Sequence, residues 1–377
     1  LIGEAQGFIS ANIHSSVPGK VIEIAEMDNA GMMQQTVVIE SEGAFSVSST
    51  KGDVNWKDFS KDDILNKIKS AGIVGLGGAA FPTNVKLSPP PGKNIDTLVI
   101  NGAECEPYLT VDDMLMRTYP GEIVEGIQLI LKALGITKAI IGIEDNKKHA
   151  VSALRKAVID MNISEDISIK TLKTKYPQGA EKQLIYSLLG REVPSGGLPM
   201  DIQVVVQNVG TAFAVREAVL FDKPLFERYI TVSGTMIKNP GNYKVRIGMR
   251  ISDIVEECGG LMGKPAKVVI GGPMCGTSIF SLDAPVVKGC SGILFLSEKE
   301  VNREGYTTCI RCGRCVAACP VGLVPSELGA ASEYDRMDIA DNLNPFDCIM
   351  CGSCTYSCPA GRPLSHFIKL IQQKLRK

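Results

Sequence analysis

The spacing of apolar residues changes along the chain, and each change marks a candidate domain. Residues 1–50 carry strand signals: a Pro18-Gly19 turn leads into an alternating run over 20–24, and 36–40 is a second strand. Residues 51–225 alternate between helix and strand. Ser60 and Asp63 form a capping-box pair before a helix with Ile64, Leu65 and Ile68 on one face, stopped by Gly72. Short apolar runs at 97–100, 139–143, 167–172 and 202–206 predict buried strands. Between them Ile123, Ile127, Ile130, Leu131 and Leu134 recur at helical spacing, and Gly135 ends that helix. Strands separated by helices predict βαβ units and a parallel sheet.

The texture shifts again after residue 225. Residues 229–234 and 238–245 predict two strands around an Asn239-Pro240-Gly241 turn, and Ile251, Ile254 and Val255 begin a short helix closed by Gly259-Gly260. This is the pattern of a small β-grasp-like domain over 226–300. Residues 301–377 are a cysteine module ending in an amphipathic helix. Its apolar face is Leu364, Phe367, Ile368, Ile371 and Leu375, with Lys369, Lys374, Arg376 and Lys377 elsewhere. That face packs on the cysteine module or docks on a partner subunit or anionic membrane surface.

Composition narrows the function. The 377 residues are 45% hydrophobic and 21% charged, which excludes intrinsic disorder. A net charge of -1 argues against a nucleic-acid partner. No apolar run approaches the ~20 residues that span a bilayer. The chain begins Leu1-Ile2-Gly3, without an initiator Met or signal peptide, and is expected to be a fragment.

Twelve cysteines add the chemistry, eight of them after residue 308. Cys309, Cys312, Cys315 and Cys319-Pro320 follow the spacing C-x2-C-x2-C-x3-C-P, and Cys348, Cys351, Cys354 and Cys358-Pro359 repeat it. A tight triplet of thiolates wraps one [4Fe-4S] cluster, and the cysteine before proline ligates the other cluster in two-cluster ferredoxins. The pattern therefore pairs Cys309, Cys312 and Cys315 with Cys358, and Cys348, Cys351 and Cys354 with Cys319. Structural zinc sites use paired knuckles, often with histidine, and lack this double four-cysteine form. Cys258, Cys275 and Cys290 have no metal spacing and are expected to be buried structural thiols; Cys105 is expected to be a small buried residue beside a ligand.

A second signal is the glycine-rich segment 75–86, with Gly75, Gly77, Gly78, Phe81 and Lys86. It follows a helix and precedes a proline, unlike a dinucleotide fingerprint, and suits an anion-binding nest. Asn101, Glu104 and Glu106 follow the first strand of the α/β segment, and Asn208 and Thr211 follow the last. Ligands of parallel α/β sheets bind at the carboxyl ends of strands, so these loops are expected to converge.

The glycine loop, segment 101–108 and the twin cysteine runs resemble the RnfC family, the C subunits of the Rnf ion-translocating oxidoreductases. The glycine loop is shared more distantly with the FMN- and NADH-binding flavoprotein subunit of respiratory complex I. The resemblance covers essentially the whole chain and implies a multidomain α/β protein. Its domains would be a lipoyl-like barrel-sandwich β domain over 1–50, a Rossmann-like FMN- and NADH-binding domain over 51–225, a soluble-ligand-binding β-grasp domain, and a helical two-cluster ferredoxin-type domain. It implies FMN and two [4Fe-4S] clusters as cofactors, with NADH as substrate. Gly75, Gly77, Gly78, Phe81, Lys86, Asn101, Glu104, Tyr176, Gly179, Asn208 and Thr211 would bind cofactor, and Glu106 and Glu181 would be the catalytic acids. The chain departs from the complex I-type pattern at Leu76, Ala103 and Ala180, where that pattern has Arg, Asp and Glu. The implied partners are NAD(H), a ferredoxin-like iron–sulfur subunit and integral membrane subunits, at the cytoplasmic face of a bacterial or archaeal membrane. Two other readings are a relative feeding electrons to a soluble reductase of the proline reductase type, and a flavin-free cluster scaffold.

Overall fold

The computed structural model describes residues 1–29, 32–43, 55–302 and 304–376. The expected domain boundary at residue 50 and Lys377 lie outside the described residues. Near the start of the chain β1 (Gly19–Asn29) and β2 (Met32–Ser41) form an antiparallel hairpin, with a register shift between Val21 and Glu23. Gly3 and Ile13 form an isolated antiparallel bridge. Val21, Ile22 and Ile24 of the hairpin are exposed.

The α/β region opens with α1 (Lys61–Ser70). Ser60 accepts from the Asp63 N–H while the Asp63 side chain accepts from the Ser60 N–H, so the capping box forms as predicted. The glycine loop then runs into α2 (Thr83–Lys86). There follow β3 (Thr97–Gly102), α3 (Val111–Thr118), α4 (Pro120–Leu134), β4 (Ala139–Glu144), α5 (Lys148–Asp160), β5 (Ile167–Leu172), α6 (Glu181–Leu189), β6 (Val204–Asn208) and α7 (Val209–Phe221). Pro120 starts α4 and left-handed Gly135 stops it. The four strands are parallel in the order β5-β4-β3-β6. Helices cover both faces: Ile123, Ile127 and Ile130 of α4 and Val215 of α7 pack on one, and Leu184, Ile185 and Leu188 of α6 on the other. Burial on both faces explains why β3 and β4 are continuous apolar runs. The chain builds outward from β3 to β5 and then returns to place β6 on the other side of β3. The crevice between the carboxyl ends of β3 and β6 is thus a topological switch point.

The β-grasp region contains β7 (Glu227–Ser233), β8 (Gly241–Arg246), α8 (Ile251–Glu257), β9 (Lys267–Ile270), β10 (Thr277–Ile279) and β11 (Gly292–Leu296). Its sheet order is β10-β9-β11-β7-β8, with β11 parallel to β7. Ile251 and Ile254 pack against Ile230, Val232, Ile293 and Phe295. The cysteine module is built from α9 (Arg314–Ala317), α10 (Pro325–Glu333), α11 (Met337–Asp341), α12 (Ser353–Tyr356) and α13 (Leu364–Leu375). Leu364, Phe367, Ile368 and Ile371 of α13 are buried against this module, which realises the packing alternative for the C-terminal helix. Among the described residues no helix is long and apolar enough to cross a membrane.

Candidate functional site

A cavity of about 2550 Å³ opens at the β3/β6 switch point. It exceeds the roughly 300–1,000 Å³ of a pocket for one small ligand. Ten predicted residues line it: Gly75, Gly77, Gly78, Phe81, Lys86, Asn101, Glu106, Gly179, Glu181 and Asn208. Glu104, Tyr176 and Thr211 are not among its lining residues. Their positions follow from what holds the wall.

The glycine loop is pinned from below. Gly75 donates to the Phe81 carbonyl at 2.8 Å, closing the loop on itself. The Leu76 N–H donates to Thr211 Oγ1 at 2.9 Å, and the Leu76 carbonyl accepts from Arg228 at 3.3 Å. Thr211 and Arg228 are both buried. Gly78 has φ +114°, a conformation closed to most side chains, and a Cβ on Gly77 would lie 3.3 Å from the Asn208 side chain. The backbone of the loop is therefore presented to the cavity with no side chain above it at these positions.

Lys86 Nζ and Glu181 Oε1 form an ion pair at 2.6 Å on the cavity wall. Asn101 Nδ2 donates to the Gly179 carbonyl at 2.8 Å, joining the β3 loop to the 176–181 loop. Asn208 caps α7 by accepting from the Gly210 N–H, and its Nδ2 donates to Asp112 Oδ2 at 2.7 Å. Glu104 lies beneath, accepting from the Asp112 and Asp113 N–H groups and from Lys147. Burial raises both the Glu104 and Asp112 carboxyls, and the Asp112 charge adds to the effect on Glu104, which is pushed up to about 7. Neither Asp112 nor Arg228 carries a motif, and an acid in a first helical turn is read as an ordinary helix-start residue. Cys105 is partly buried beside Gly179, and burial pushes its thiol up to about 11.

Glu106 and Tyr176 turn toward the rest of the molecule. Glu106 Oε2 accepts from the Met274 N–H at 3.0 Å and Oε1 from the Cys275 N–H at 2.9 Å. Tyr176 donates its hydroxyl proton to the Cys351 carbonyl at 2.5 Å and lies 3.1 Å from Cys275 Sγ. Cys275 corrects an expectation: it is exposed, on a turn outside the β-grasp core that meets Tyr176 and Met350, whereas Cys258 and Cys290 are buried in that core as expected.

In the cysteine module Arg311 and Gly313 of the first run and Met350 and Gly352 of the second have the same left-handed backbone, with φ 55°, 73°, 55° and 74°. Cys319 and Cys348 pack against one apolar cluster around Leu323 and Ile368, whereas Cys315, Cys354 and Cys358 gather with Leu364 and Phe367. Burial raises the Cys348 thiol, and Cys351 and Cys319 add to the shift, so Cys319 stands near the second triplet.

The residues fit the implied groups. All twelve cysteines are free thiols. Among the described residues no three His, Cys, Asp or Glu side chains converge on a single metal ion. A cluster spreads its thiolates over different irons, so wider spacing suits it better than it suits zinc. For FMN, the cavity offers bare glycine backbone with Lys86 beside it. The buried Gln207 Nε2, from another cavity-lining residue, has no hydrogen-bond partner among the described residues.

Comparison with known proteins covers each region. A Nuo51 FMN-binding domain matches residues 68–217, an SLBB domain 229–278, a 4Fe-4S dicluster domain 301–360, and an RnfC barrel sandwich hybrid domain 1–44. The chain is 47% identical over 89% of its length to the C subunit of the proton-translocating ferredoxin:NAD+ oxidoreductase complex of Clostridium ljungdahlii, covering 73% of that protein. It is 45% identical over 92% of its length to the Na+-translocating counterpart of Acetobacterium woodii, covering 78%. The C subunit of the ion-translocating oxidoreductase complex of Rhodobacter capsulatus is 41% identical over 88% of the chain, which covers 64% of it. A crystal structure of NAD+-reducing [NiFe]-hydrogenase in the H2-reduced state shares the fold with a TM-score of 0.58 and 22% identity, over 84% of this chain and 62% of that one.

Proposed function

The chain belongs to the RnfC family of Rnf ion-translocating oxidoreductases, and from that premise we propose that its cavity holds FMN and admits NADH, while its cysteine module carries two [4Fe-4S] clusters. As one component of a multi-subunit Rnf complex it relays electrons between NAD(H) and ferredoxin-type carriers. FMN, when bound, accepts a hydride as two electrons and releases them singly to iron–sulfur centres.

The protein's own residues supply the frame. Backbone N–H groups of the loop at Gly77 and Gly78 form the anion nest, with Gly75 closing the loop through the Phe81 carbonyl and the Lys86 ammonium alongside. Glu181 holds that ammonium in place, and Phe81 offers an exposed ring to a planar ligand. Asn101, Gly179 and Asn208 hold the two sides of the crevice together. Glu104 and Thr211 act from behind the wall, and Tyr176 acts where the rim meets the second cysteine run. Cys309, Cys312, Cys315 and Cys358 ligate one cluster, and Cys348, Cys351, Cys354 and Cys319 the other. The observation that carries this reading is that Ile349 and Met350 of the second cysteine run line the same cavity as the glycine loop. Partner subunits embedded in the membrane couple the electron flow to Na+ or H+ movement, and a ferredoxin-like iron–sulfur subunit exchanges electrons with this one at the cytoplasmic face.

The test is anaerobic reconstitution of the whole chain followed by flavin, iron and sulfide analysis. The wild type takes up FMN and two clusters, and NADH bleaches it. Lys86→Ala lowers FMN occupancy severalfold at unchanged iron. Full FMN retention in Lys86→Ala removes Lys86 from the site, and a wild type with clusters but no flavin overturns the reading.

A further inference from the structure

Four segments far apart in sequence meet at one point on the cavity rim. Glu106 comes from the loop after β3, and Tyr176 from the loop before α6. Met274 and Cys275 come from the β9–β10 connection, and Cys351 from the second cysteine run. Both Glu106 carboxylate oxygens are engaged by main-chain donors, Met274 N–H at 3.0 Å and Cys275 N–H at 2.9 Å. Its distance to the Tyr176 hydroxyl is 3.4 Å, longer than the 2.5 Å from that hydroxyl to the Cys351 carbonyl. The hydroxyl has one proton, and the shorter contact takes it. Cys275 Sγ then lies within reach of the Tyr176 oxygen at 3.1 Å and of the Met350 carbonyl at 3.5 Å. Two glycines allow the approach. A Cβ on Gly272 would lie 2.1 Å from Glu106 Oε2, and one on Gly352 would lie 2.5 Å from the Met274 carbonyl oxygen.

We propose that Glu106 and Tyr176 form a clasp that seats the second cysteine run against the cavity, Glu106 by holding the 274–275 turn and Tyr176 by holding the Cys351 carbonyl. This makes both positioning residues, and it replaces the catalytic role expected for Glu106 from the family resemblance. It rests on the reading of the cavity as the flavin site. A transfer across the clasp moves one electron at a time and makes or breaks no bond, so the clasp needs only to fix distance and to shape the surroundings of the second-run sulfurs. A hydrogen bond to the carbonyl of a ligating cysteine acts on that cluster and not on the other, since hydrogen bonding near the sulfurs is one lever on a cluster's electronics.

The experiment uses the full chain, unloaded and anaerobically loaded with FMN, iron and sulfide, as wild type, Tyr176→Phe, Glu106→Ala and Glu106→Gln. Backbone amide hydrogen exchange over 349–353 and the electron paramagnetic resonance spectrum of the reduced clusters are measured. In Tyr176→Phe, iron and flavin content match the wild type. Exchange over 349–353 rises about fivefold, the order expected for one net hydrogen bond. One cluster signal shifts while the other, assigned by its loss in Cys312→Ser, does not. Glu106→Ala raises exchange at both 274–275 and 349–353, and Glu106→Gln, which keeps one carbonyl acceptor, falls between it and the wild type. Unchanged exchange in Tyr176→Phe overturns the clasp, and so does a shift confined to the first-run signal. If the wild type binds clusters without FMN, the flavin reading fails, and the exchange data on the unloaded chain still decide the clasp.

Discussion

The two cysteine runs are near copies in sequence and backbone, yet their surroundings are opposite. In the first run Cys312 and Gly313 are exposed, Ile310 is 66% exposed, and Arg311 and Arg314 face solvent. In the second, Cys351 and Gly352 are buried and Ile349 and Met350 line the cavity. Each run has a left-handed backbone at its third and fifth positions. What differs is the partner: Met274 and Tyr176 cover the second run, and solvent meets the first. Ligand spacing decides that a cluster can be held. The contacts around the loop decide whether that cluster faces the cavity or another protein. An inward and an outward centre in series make a relay between the cavity and the outer surface.

The largest expected effect comes from removing one ligand from each run. Cys312→Ser and Cys351→Ser should each reduce bound iron by about half, since each dismantles one of two clusters. The comparison predicts that they differ in function. NADH still bleaches the remaining cluster in Cys312→Ser, because the inward run is intact, and fails to do so in Cys351→Ser. Equal bleaching in the two variants would break the assignment of inward and outward runs.

A smaller contrast separates the paired glycines. Among the described residues Gly313→Ala meets nothing within 4 Å at φ +73°, so its cost is the left-handed strain, about 1–2 kcal/mol. Gly352→Ala has nearly the same φ of +74° but drives its Cβ into the Met274 carbonyl. It should destabilise the chain by about 1–3 kcal/mol more, the range for an overpacked site. Chemical denaturation of both variants checks this, and equal losses would show that the second run is not pressed against the 274–275 turn.

The smallest effect sharpens the platform beneath the cavity. Glu104 has a folded-state carboxyl raised from 4.5 to about 7. A raised carboxyl binds its proton more tightly in the folded state, so its stabilisation is full below pH 4.5 and is lost as pH rises through about 7. Glu104→Gln removes this dependence. Thermal unfolding between pH 4.5 and 7 should therefore fall less with pH in the variant than in the wild type, with cluster content unaffected in both runs.

Much of the fold is legible in the sequence because it is local. The Ser60–Asp63 cap, the Gly135 stop and the four buried strand runs are short-range signals whose physics acts within a few residues. The cysteine spacing is likewise local. The buried charges are not legible. Asp112 and Arg228 look like surface residues until the fold places Asn208 on one and the Leu76 carbonyl on the other. Cys275 looks like a core thiol because nothing near it in sequence names Tyr176 as its neighbour. One local hint to the orientation of the runs is present: Arg311 and Arg314 in the first are replaced by Met350 and Ser353 in the second. Charged side chains stay in water, and the uncharged copy can be covered.

The sequence alone determined the number and spacing of thiol ligands, the parallel sheet and the bare glycine loop, because each depends on neighbouring residues and on backbone conformations available to few residue types. The tertiary structure decided which cysteine run lines the cavity and which main-chain groups Glu106 binds. Those outcomes depend on contacts such as Tyr176 with Cys351, 175 residues apart, and such a contact exists only after separate domains have packed.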